Sequence, residues 1–211
     1  MKHTEKTHTP STRTGSDETV DSRLSIPSGI ASLQWWPALV GVGFAVFVAF
    51  DLFTGEEHGG ELASIVAASG LVYLAAAALE KPSASWAVFF GSVVVITAGK
   101  MGLVGIDATW LLLGIAAAFL GYGLIRGAHH STAGLPLQTI AMIAFGAIAA
   151  IALYLNTAAG AYLVAAGLFA HAAWDIHHHR VNKVVSRSMA EFCCVLDIAL
   201  AVAIVIATAS T

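Results

Sequence analysis

Charged residues are scarce in this chain. They make up 11% of its 211 residues, against about 25% in ordinary soluble domains. No basic run or stripe occurs that would track a phosphate backbone, so nucleic acid is excluded as a partner. Cysteine is nearly absent too. The only two, Cys193 and Cys194, are adjacent, and neighbouring residues seldom satisfy disulfide geometry. Neither a secreted disulfide framework nor a CxxC zinc pattern is available. Also missing is the alternation of apolar and polar residues that marks a membrane β-barrel strand.

What remains is apolar. Hydrophobic residues make up 57% of the chain and the mean hydropathy is +0.79. This composition implies an integral membrane protein with little room for a soluble domain. The exception is the first 34 residues, a Thr- and Ser-rich stretch holding His3 and His8. It cannot bury enough apolar surface to fold alone, so residues 1–34 are expected to be a disordered cytoplasmic tail. It lacks the short basic start and apolar core of a signal peptide, and the first hydrophobic segment is expected to stay as an anchor.

Residues 35–209 divide into seven apolar segments of about the 17–25 residues that cross a bilayer. They cover 35–53, 61–79, 86–105, 109–126, 136–155, 159–177 and 190–209. Turn-forming stretches such as "EKPSAS", "RGAHHSTAGLP" and "NTAAG" separate them. The expected fold is an all-α bundle of seven transmembrane helices, because a chain in lipid must satisfy its own backbone hydrogen bonds. Trp35, Trp36, Trp86 and Trp110 stand at segment starts, where interfacial aromatics belong.

Nine of the ten basic residues fall in alternate connections: Lys2, Lys6, Arg13, Arg23, Lys81, Arg126, Arg180, Lys183 and Arg187. The opposite side holds Lys100 and an acidic loop with Asp51, Glu56, Glu57 and Glu61. The positive-inside rule then gives a cytoplasmic N-terminus, an outside C-terminus and a multi-pass protein of the plasma membrane. Gly123 and Gly127 in "GLIRG", with Gly99, Gly102 and Gly105, are spaced for close helix contact or self-association. Homo-oligomers and membrane complexes are therefore the expected partners beside lipid.

The chemistry concentrates on the cytoplasmic side, in "HAAWDIHHHR" (residues 171–180). His171, Asp175 and His178 stand at i, i+4 and i+7 and share one helix face. His171 lies about two turns inside the span, where polar groups are costly and usually functional. His129 and His130 follow the fourth segment on the same side. Histidine with carboxylate suits Zn²⁺, Fe²⁺ or Mn²⁺, with zinc or iron the expected cofactor. The expected ligands are His171, His178, Asp175, and His129 or His130. Asp175, Glu191 and Asp197 are the candidate acid–base groups. Glu191 also suits a helix cap, and Asp197 shares an i, i+4 face with Cys193. The bland reading of His177–His179 beside Arg180, Lys183 and Arg187 is a wet, basic end meeting anionic headgroups. Lys100 is expected to pair with Asp51 or Asp107, or to reach for the interface.

"HAAWDIHHH" and the pair at 129–130 are faintly similar to the histidine boxes of membrane desaturases, but their HxxxH spacing is absent. The last segment lacks the paired histidines of the seven-helix zinc hydrolases and the Schiff-base lysine of rhodopsins, so no family is assigned. Three functions compete: a divalent-metal-dependent membrane enzyme, hydrolase or oxidoreductase; a small transporter or accessory subunit whose buried charges handle a cation or protons; and a structural partner with no site of its own.

Overall fold

The structure, a computed structural model, describes residues 35–54, 62–131, 134–155 and 157–210. The tail with His3 and His8, the loop residues Glu56, Glu57, His58 and Glu61, and the Asp51 side chain lie outside the described residues. The described chain is helical: α1 (Trp36–Thr54), α2 (Ala63–Ala78), α3 (Ala84–Lys100), α4 (Ala108–Ile125), α5 (Leu135–Ala152), α6 (Thr157–Val181) and α7 (Arg187–Ala209). A 3-10 turn, Ala128–His130, joins α4 to α5. Five helices, α1 and α4–α7, are long and apolar enough to cross a membrane. The other two are apolar but shorter, with 16 residues in α2 and 17 in α3. At 1.5 Å per residue that is about 24–26 Å, against a hydrocarbon core of about 30 Å.

The short α2 is the axis of the bundle. It packs against α3, α4, α5 and α6, and all of its residues except Ile65 are buried. Its Ala-rich surface lets neighbours come close. Gly123 of α4 meets it most tightly: a Cβ there would sit 3.0 Å from Ala78 Cβ and 3.1 Å from Ala78 Cα. Along one side α6 pairs with α7, and α1 lies on α7.

Large apolar side chains point outward. Phe47, Val94, Ile143 and Ile125 are 73%, 67%, 66% and 89% exposed. Inside, by contrast, are Gln138, His171, Asp175, His178 and Asp197. An apolar exterior around buried polar groups is the arrangement a bilayer selects.

Helix ends correct the sequence reading at three places. The third segment stops at Lys100, not 105. Gly102 has φ +67°, its N–H donates to Gly99 O, and Leu103 N–H donates to Ala98 O at 3.0 Å; this pair of bonds is a Schellman close. Gly127 likewise has φ +75° and no neighbour against it, and Gly105 faces open space. Of the expected glycine contacts, only Gly123 and Gly99 pack closely, Gly99 against Ala108. The sixth segment continues through "HHHR" to Val181, where Asn182 at φ 50° ends it. The seventh begins at Arg187, capped by Ser186, whose Oγ accepts from Met189 N–H at 3.3 Å. Glu191 therefore lies beyond the first turn and is not the cap.

Candidate metal centre

Three helices build the polar centre. α6 supplies His171 and Asp175 one turn apart, α7 supplies Asp197, and α2 supplies Tyr73. His171, Asp175 and Asp197 are all 0% exposed. His171 Nδ1 lies 2.8 Å from Asp197 Oδ2 and 3.2 Å from Asp175 Oδ2. With carboxylates on that side, Nδ1 carries the ring proton and donates it to Asp197. Tyr73 Oη–H donates to Asp175 Oδ1 at 2.6 Å, leaving Oδ2 turned towards the imidazole. The rings of Tyr73 and Phe145 meet the His171 ring edge-on, with centroids 5.3 and 5.0 Å away. They form a dry wall around it.

The polar capacity of this centre is only partly used. His171 Nε2, Asp175 Oδ2 and Asp197 Oδ1 are buried and have no hydrogen-bond partner among the described residues. Buried polar atoms are nearly always paired, and an unpaired buried carboxylate oxygen is costly. One ligand atom from each of His171, Asp175 and Asp197 lies within 4.8 Å of the others. That is a spacing a single cation could bridge, so the triad could bind a metal.

His178 belongs to a different arrangement. Its Nδ1 is 2.9 Å from Trp174 O, so Nδ1–H donates to that carbonyl. Its Nε2 then accepts from Gln138 Nε2–H at 3.0 Å. Gln138 Oε1 accepts in turn from Trp174 Nε1–H at 3.3 Å. The ring closes with both imidazole nitrogens engaged and the imidazole neutral. It fastens α5 to α6. The "HHH" triple is thus divided. His178 is 3% exposed, His179 is half-buried and His177 is exposed, so the wet-end reading fails for the middle histidine.

His129 and His130 stand exposed on the 3-10 turn, with rings 3.9 Å apart, and are not part of the buried group. Glu191 is half-buried. It lines a groove of about 380 Å³ with Trp35, His179, Arg180 and Cys194, and Asp175 is among the residues that border it. Asp107 accepts from Thr109 N–H at 2.7 Å and caps α4. Cys193 is buried, and its thiol contacts Met189 Sδ at 3.5 Å.

Reading the sequence alone tied His171 to Asp175 and His178 and set Asp197 apart with Cys193. The structure regroups them: the nearest carboxylate to His171 comes from α7. Tyr73 and Gln138 were missed altogether. The available signal was position, since Tyr73 lies mid-span, away from the interface where tyrosine normally sits, and Gln138 interrupts an apolar run. Comparison of the chain with protein families, with curated proteins and with solved structures gives no match.

Proposed function

We propose that this chain is a multi-pass protein of the cytoplasmic membrane that holds a divalent cation, Zn²⁺ or Fe²⁺, between α6 and α7 and uses it enzymatically. The observation that carries this reading is that one ligand atom from each of the enclosed His171, Asp175 and Asp197 lies within 4.8 Å of the others, with a carboxylate oxygen of each Asp left unpartnered. A cation that displaces the Nδ1 proton would compensate both carboxylates at once. The donor set suits a borderline-to-hard divalent ion. Tyr73, bound to the far oxygen of Asp175, would orient that ligand. In this reading all seven helices span, the N-terminus is cytoplasmic and the C-terminus is outside, as the distribution of Lys and Arg favours. The groove beneath Glu191 and Arg180 then opens to the cytoplasmic side. Zinc there would supply hydroxide at neutral pH for hydrolysis, and Glu191, which lines the groove, would accept the water's proton. Iron would instead support oxidation.

A second reading has one specific observation in its favour. The His171–Asp197 hydrogen bond is short and fully enclosed, as in a proton-holding pair of a transporter or accessory subunit. Metal analysis of the purified full-length protein, grown with added zinc and iron, separates the two. The metal reading expects about one ion per chain, lost in His171→Ala and Asp197→Asn and retained in Gln138→Ala. A metal-free wild type overturns it and leaves the proton reading.

A further inference from the structure

The groove bordered by Asp175 lies on the outward faces of α6 and α7. On α6, Tyr162, Phe169, Ala173, Ile176 and Arg180 are exposed, at steps of three, four or seven residues that keep them in one stripe. On α7 the half-buried Glu191, Cys194 and Val195 lead into the exposed Ile198, Val202 and Val205. Ile176 and Arg180 of the first stripe, with Glu191, Cys194 and Val195 of the second, line the groove. In a membrane protein such outward apolar faces meet lipid, so a bilayer lipid reaches this groove sideways without crossing water. One end is polar. Arg180 is exposed and forms no ion pair among the described residues, and Trp35, an interfacial residue type, lines the groove with it. Arg180, Lys183 and Arg187 outnumber Glu191 at this end of the two helices, so the local field favours a phosphate. Asp175 stands five residues before Arg180, about 7–8 Å of helix rise. A phosphate held at Arg180 therefore brings the acyl linkages beneath it to the level of Asp175.

We propose that this groove binds one phospholipid drawn from the surrounding bilayer, with its phosphate at Arg180 and an acyl chain lying over Ile176 and Val195 towards Phe169 and Ile198. A water-soluble molecule gains nothing from that apolar flank. Because Asp175 belongs to the triad, a bilayer lipid is then the substrate class of the metal enzyme. That last step rests on the metal reading; the lipid site itself does not.

The test uses full-length protein in dodecyl maltoside micelles, titrated with a phosphatidylcholine that carries a diazirine at the top of one acyl chain. After illumination, saturable labelling by one lipid per chain is expected, mapped by peptide mass spectrometry to Ile176, Cys194 and Val195, and unaltered by inorganic phosphate. Ile176→Trp and Cys194→Phe fill the groove from two different helices, and each should weaken the lipid about tenfold. Arg180→Gln should weaken it about fivefold, the effect of losing one exposed ion pair. Val202→Trp, on the same outward face but outside the groove, should change nothing. The mapping on wild type needs no variant to fold. Labels scattered without saturation over the outward faces of all the helices overturn the proposal, as does labelling untouched by both filling variants or displaced by inorganic phosphate. Metal content of the same preparation separates the two claims. One lipid in the groove of a metal-free wild type keeps the lipid site and overturns the metal reading, and the substrate role with it. One metal per chain with scattered labels overturns the lipid site alone.

Discussion

His171 and His178 stand two turns apart on the same face of α6, yet their surroundings differ in kind. His178 faces an amide and a backbone carbonyl, and both of its ring nitrogens are engaged in a closed ring with Gln138 and Trp174. His171 faces two carboxylates and is left with an unused ring nitrogen. Residue type and helix phase are shared, so the difference comes from what the neighbouring helices bring: Gln138 from α5 against one, Asp197 from α7 against the other. A neutral ring is a fastening. A ring pressed between acids with spare ligand atoms is a place for a charge.

Substitutions can break this contrast. The largest effect is expected at His171→Ala, which leaves two buried carboxylates facing each other. Breaking a buried charge pair costs about 3–5 kcal/mol, read as a lower denaturation midpoint, and bound metal should fall to background. Acidification comes next. Protons compete with metal for imidazole and carboxylate ligands, so affinity should fall as pH drops and recover as it rises; a metal-exchange titration across pH measures it. Tyr73→Phe keeps the ring but frees Asp175 Oδ1, and the loss of such an orienting partner weakens metal binding about 10–100-fold. Gln138→Ala opens the His178 ring. It should cost about 1–3 kcal/mol of stability through unpaired buried groups, with metal content unchanged. At the bottom of the scale, His129→Ala and His130→Ala remove exposed rings and should alter neither stability nor metal content.

Much of the fold was legible because lipid imposes simple rules. Apolar runs of the right length became helices, and polar punctuation became turns. The ends were less legible. Gly102 closes α3 by a backbone motif that hydropathy does not register, and α6 carries its histidines one turn further because His178 is held from the side. The site was legible residue by residue and not as a group. His171, Asp175 and Asp197 each stood out as polar groups inside apolar segments. Their union depends on how α6 packs on α7, and no periodicity within either helix encodes that. Tyr73 and Gln138 were hidden for the same reason, since each matters only through a partner on another helix.

The central claim is that one imidazole and two carboxylates share a cation. X-ray absorption at the metal edge of the purified protein tests it most directly. The account expects a first shell of nitrogen and oxygen at about 2.0–2.2 Å with a single imidazole contribution, abolished in Asp197→Asn. Two or more imidazoles, a sulfur ligand at about 2.3 Å, or no bound metal would contradict it.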